Sequence, residues 1–189
     1  DLKLQLHPLS GKDRYARNPR EGIDPFPGFT IGITALRPRS RGSIHIASSD
    51  PAEPPRIDPN YLAEQDDADT LMAGLRAARR LGETPALRPF VVSEIRPGPD
   101  VQSDDALRAY LKESTATTWH PVGTCRMGSD EAAVVDPELR VRGIAGLRVI
   151  DSSVLPTIPS SNTNAPSIAI GEKGADLIRA DGARTTEAA

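Results

Sequence analysis

One cysteine, one tryptophan and three histidines stand among 189 residues, and aromatic side chains make up only 4% of the chain. A single cysteine excludes an intrachain disulfide framework and a zinc site built of several thiolates. Cysteine usage of this kind leans toward the cytosol. His120 and Cys125 are close together, but His7 and His45 lie far off and no HxH, HxxxH or CxxC pair occurs, so no metal site is expected. No run reaches the ~18 to 20 apolar residues of a membrane span, and the first stretch, DLKLQLHPLSGKDRYARNP, lacks the apolar centre of a signal peptide. A formal net charge of -3 leaves no basic stripe for a phosphate backbone, which argues against nucleic acid as a partner. The G-x-S-x-G elbow of a serine hydrolase is absent, as is the G-x-G-x-x-G dinucleotide fingerprint.

What is present is a globular composition, 38% hydrophobic and 26% charged, with 18 prolines and 15 glycines that predict many turns and short elements. The length suits one domain, or one domain and a piece of another. Alternation of apolar and small or polar residues predicts strands over Phe29 to Leu36 and Ser43 to Ser48, paired antiparallel across RPRSRG. Acids at Glu64, Asp66, Asp67 and Asp69, followed by Arg76, Arg79 and Arg80, match the dipole of a helix with Leu71, Leu75 and Ala78 on its buried face. Ser103 reads as the N-cap of a second helix that buries Leu107, Tyr110 and Leu111.

From Trp119 the texture changes. Short strands are expected over Leu139 to Arg142 and Leu147 to Ile150, joined by GIAG and ended by Asp151. The loop PTIPSSNTNAP then leads into a final helix, about Pro166 to Arg179. Gly171 and Gly174 each cost that helix about 1 kcal/mol against alanine, so a strand backbone or a cofactor is expected to approach there. The tail, 181 to 189, has no apolar anchor and is expected to be disordered.

The stretch TTWHPVGTC, 117 to 125, poses the functional question, since a lone histidine starts as a packing residue. The alternative comes from its company: a strand ending in a carboxylate, two hydroxyl residues, an Asn-Thr-Asn entry and a glycine-bearing helix. Such an ending suits the edge of a sheet that meets a cofactor.

Three motifs, WHPVGTCRMG (119 to 128), VVDPELRVRGIAGLRVIDSSVLP (134 to 156) and SSNTNAPSIAIGEKGADLI (160 to 178), resemble the C-terminal region of the glucose-methanol-choline (GMC) flavoprotein oxidoreductases. Upstream, RPRSRGSIHIASSDPAEPPRIDPNYL (37 to 62) is similar to the start of that family's substrate domain. The resemblance implies an α+β chain. Residues 1 to 118 would form an antiparallel-sheet substrate-binding domain with helices on one face, and 119 to 134 an active-site histidine segment. Residues 135 to 180 would be a strand-loop-helix portion that completes a Rossmann-like FAD-binding domain. It also implies the missing partner of this chain, an N-terminal FAD-binding portion of the same protein that carries the absent fingerprint.

By the same resemblance, the cofactor is FAD and the substrate a small-molecule alcohol, with choline among the candidates. His120 would be the base and Asn162 its catalytic partner. Trp119, His120, Asp151, Ser152, Asn162, Thr163 and Asn164 would face the cofactor. The chemistry asks for such residues. An alcohol hydroxyl near ~15.7 and an imidazole near ~6.5 differ by about 9 units, roughly 12 to 13 kcal/mol, so the proton must leave together with the hydride or against a stabilised alkoxide. Asparagine is no base, so His120 would take the proton while Asn162 holds the oxygen. Two other readings stay open: a binding or accessory module or fragment without activity of its own, and a non-redox relative of the hydroxynitrile lyase kind.

Overall fold

The computed structural model describes residues 1–11 and 22–187, with side chains followed to residue 182. The chain divides into two compact units, Asp1–Ser40 with Tyr61–Thr115, and Arg41–Asn60 with Ala116–Ala189. Residues 41–60 thus group with the later part of the chain.

In the first unit, β1 (Leu2–His7) pairs antiparallel with β2 (Thr30–Ala35), in a register that sets Leu2 opposite Ala35 and His7 opposite Thr30. Helix α1 (Gln65–Gly82) carries Asp66 and Asp67 in its first turn and Arg79 and Arg80 in its last, as the dipole favours. Helix α2 (Asp104–Ser114) starts at Ser103, whose Oγ accepts the N–H of Ala106 at 3.2 Å. Leu71, Met72 and Leu75 of α1 and Leu107 and Leu111 of α2 form one buried cluster, against which Ile33 and Ala35 of β2 pack.

The expected hairpin of 29–36 with 43–48 does not form. The carboxylate of the buried Asp67 accepts the N–H of Arg39 at 2.7 Å, the N–H of Ser40 at 2.8 Å and the Ser40 hydroxyl at 2.5 Å. Three bonds draw the link onto α1 instead of letting it turn back, and β1 takes the edge of β2. The second expected strand shortens to β3 (Ser43–His45), which pairs with β4 (Arg56–Asp58) in the second unit. His45 lies exposed there, opposite Arg56.

The second unit is built around Val135, Leu139 and Val154, with Met127, Ile150, Ile170 and Leu177 packed against them. The strands expected at 139–142 and 147–150 are present only as isolated antiparallel bridges, Arg140 to Arg148 and Val141 to Val135. Leu139, at φ 64°, breaks the extended chain, and Gly143 and Gly146, both at positive φ, turn it between the two segments. Helix α3 runs over Asn164–Glu187, longer at both ends than expected. An ion pair between Arg148 and Asp181 fastens the turn where the disordered tail was expected to begin. Residues 188 and 189 of that tail lie outside the described residues.

Of the two glycines in this helix, Gly174 is closely approached, by the Ile150 side chain rather than by a strand backbone. A Cβ there would stand 2.3 Å from Ile150 Cγ2, whereas one at Gly171 would meet nothing within 4 Å. The fold is therefore α+β, with two small antiparallel sheets among the described residues. No parallel sheet appears among them, and the one parallel pairing is the bridge of Met127 to Val135. No helix in the described residues is long and apolar enough to cross a membrane.

Candidate active site

The site is assembled in the second unit from three stretches distant in sequence. The first is the histidine loop. Thr117 Oγ1 accepts the N–H of Trp119 at 2.9 Å, and Trp119 takes up φ 63°, a left-handed conformation that costs a bulky residue about 1–2 kcal/mol. Pro121 restricts His120, before it, to extended backbone. A turn that a side chain can hold and a proline after it thus fix how the imidazole leaves the chain.

The second stretch is the turn after Ile150. Asp151 caps a 3-10 turn over Ser152–Val154, its Oδ1 accepting the N–H of Ser153 at 2.7 Å. The carbonyl of Ser153 accepts two N–H groups from the histidine loop, those of Gly123 at 3.0 Å and Cys125 at 3.1 Å, and Val154 accepts that of Met127 at 2.8 Å. With Val154 fully buried in the core, these bonds tie loop and turn to one rigid base.

The third stretch is the entry to α3. The imidazole Nδ1 of His120 lies 3.0 Å from Thr163 Oγ1, and the Thr163 N–H points at the same nitrogen from 3.5 Å. Thr163 is buried, while Asn162 and Asn164 on either side of it are exposed. Helix α3 has no acidic residue in its first turn, unlike α1 and α2, so its positive end is left without a carboxylate of its own.

The structure thus brings His120 to the Asn162–Asn164 entry and ties its loop to the Asp151–Ser153 turn. Trp119 stands beside it, 65% exposed. The Thr163 side chain, read from sequence as a cofactor contact, is directed to His120; the sequence reading missed that partnership, and no local spacing signals it. Cys125 contributes its backbone to the ladder and its thiol is unpaired with any other cysteine. Arg140 is engaged by Asp136 and Glu138. No three His, Cys, Asp or Glu side chains gather as metal ligands would among the described residues.

An imidazole held by one ring nitrogen at the positive end of a helix is chemically able to exchange a proton through the other nitrogen, and a helix N-terminus favours a group that gains negative charge. The GMC oxidoreductase family pattern matches residues 38–171, and the chain belongs to that family. It is 46% identical over 151 residues to an alcohol dehydrogenase [acceptor] of Pseudomonas putida, and 46% identical over 152 residues to an oxygen-dependent choline dehydrogenase of Pseudomonas syringae pv. tomato. Each match covers 80% of this chain and 27% of the relative, so the chain spans about a quarter of their length. A structure of formate oxidase from Aspergillus oryzae RIB40, described for its FAD modification, superposes with a TM-score of 0.83 at 30% identity, over 95% of this chain and 31% of that one.

Proposed function

We propose that this chain is the C-terminal part of an FAD-dependent oxidoreductase that acts on CH–OH groups and turns an alcohol into an aldehyde or ketone. The observation that carries the reading is the bond of His120 to Thr163, the residue between Asn162 and Asn164 at the entry of α3. The residues fit the cofactor: a helix N-terminus without an acidic first turn suits a group that becomes anionic on reduction, and exposed amides flank it. Asn162, Asn164, Asp151 and Ser152 would hold it, with Trp119 against its edge.

FAD, when bound, supplies the hydride acceptor. His120 does the proton work. With Nδ1 occupied by Thr163, Nε2 is the nitrogen left to accept the hydroxyl proton as the C–H bond breaks, and the amide of Asn162 donates to the same oxygen while it carries developing negative charge. The proton ends on the imidazole, the hydride leaves carbon, and the C–O bond becomes a carbonyl. The first unit would belong to the substrate domain, and the second would join the absent N-terminal portion in a Rossmann-like FAD domain. The chain alone, without the glycine fingerprint, would not be an active enzyme.

Anaerobic mixing of the intact protein with primary alcohols, choline among them, tests this by the bleaching of the flavin band. Bleaching by at least one alcohol is expected; a flavin that stays oxidised with the whole panel overturns the reading.

A further inference from the structure

We propose that Thr163 is a positioning residue that holds His120 in the Nδ1–H tautomer and so leaves the Nε2 lone pair for the alcohol proton; this rests on His120 being the base. A neutral imidazole has one proton for two nitrogens, and only the nitrogen without it is basic. Two groups of Thr163 face Nδ1: a backbone N–H, which can only donate, and a hydroxyl, which can donate or accept and is taken here as the acceptor of Nδ1–H. The backbone N–H would want Nδ1 as acceptor, but 3.5 Å is beyond the range of a good N–H bond. The hydroxyl oxygen, at 3.0 Å, is within it, and can accept Nδ1–H.

That oxygen is available for a further reason. Thr163 precedes the first residue of α3, where a threonine oxygen ordinarily caps the N–H of the second or third helical residue. The third residue here is Pro166, which has no N–H, so that only the Ala165 N–H competes for the oxygen. The Thr163 backbone is meanwhile anchored from the helix side, its carbonyl accepting the Ser167 N–H at 2.9 Å and the Ser167 hydroxyl at 2.7 Å. The hydroxyl is therefore a fixed and buried post. When Nε2 takes up a proton, Nδ1–H already has its acceptor and nothing has to turn.

The test uses the intact flavoprotein labelled with 15N-histidine, the His120 signal being identified by its loss in His120→Gln. The wild type should show Nδ1 protonated and Nε2 bare at a pH where the ring is neutral, and Thr163→Ser should keep that pattern. Thr163→Val should shift it toward Nε2–H and slow flavin reduction about 10- to 100-fold, the usual loss for a group that orients a functional histidine, with alcohol affinity little changed. Nε2–H in the wild type, or a Thr163→Val protein with unchanged tautomer and rate, overturns the proposal. If Thr163→Val fails to retain flavin, the wild-type tautomer and the Thr163→Ser comparison still decide: a serine variant that loses the pattern overturns it. The two readings separate cleanly. Loss of flavin reduction in His120→Gln with a wild-type-like Thr163→Val removes the role of Thr163 alone, whereas normal flavin reduction in His120→Gln removes the base and this role with it.

Discussion

His120 Nδ1 stands 3.0 Å from Thr163 Oγ1, although the two residues are 43 positions apart. The fold closes that gap through the Ser153 carbonyl and the core around Val154, which together bring the histidine loop, the Asp151 turn and the entry of α3 to one place. The relationship leaves Nε2 as the ring nitrogen that does not face Thr163.

Asn162 follows from the same arrangement. If its amide holds the substrate oxygen, Asn162→Ala in the intact protein lowers the rate constant of flavin reduction by about 10²-fold, the scale of losing one donor to a developing oxyanion. With one imidazole and one amide, the pH profile of that rate has a single limb. Stopped-flow measurement across pH checks both points, and two titrating limbs would point to a second base.

The two helical glycines give opposite expectations for stability. Gly174→Ala drives a Cβ to 2.3 Å from the β-branched Ile150, whose displacement costs about 1–3 kcal/mol and outweighs the gain in helix propensity. Gly171→Ala meets nothing within 4 Å and should gain up to about 1 kcal/mol. Thermal unfolding of the 189-residue chain should show Tm falling for the first and rising for the second.

Acid sensitivity has a named contributor in the second unit. Burial pushes the Asp136 carboxyl up, but the Arg140 N–H at 2.9 Å, the Arg140 guanidinium at 3.1 Å and the Glu138 N–H at 2.9 Å outweigh it and hold the group below its ordinary 3.8. A carboxyl lowered by folding contributes stability that is fully present above its unfolded value and is lost as pH falls through the folded one. Asp136→Asn should therefore lower Tm at neutral pH and flatten the acid side of the Tm curve, the gap to the wild type closing as pH falls below the ordinary carboxylate range. Parallel curves at all pH values would contradict this.

Much of this was legible in the residues, where the signals are local. Ser103 and the order of acids before arginines mark α1 and α2, because caps and helix dipoles act within a turn or two. Strand β1 also carries a local signal, the alternation of Leu2, Leu4 and Leu6, although no strand is among the expectations there. The hairpin failed because Asp67, 27 positions away, holds Ser40, a tertiary bond that no pattern along the strands reveals. The extension of α3 has the same cause, since Arg148 reaches Asp181 across 33 positions. In the site, the motifs pointed to His120 and to the Asn162–Asn164 entry, yet the pairing of His120 with Thr163 depends on how two segments are clamped to a third.

Rapid mixing of alcohol with the intact, flavin-loaded His120→Ala protein tests the base itself. FAD is expected to stay bound while flavin reduction slows by about 10²- to 10⁴-fold, the range for loss of a general base. Flavin reduction at a rate near that of the wild type, with the cofactor in place, would contradict it.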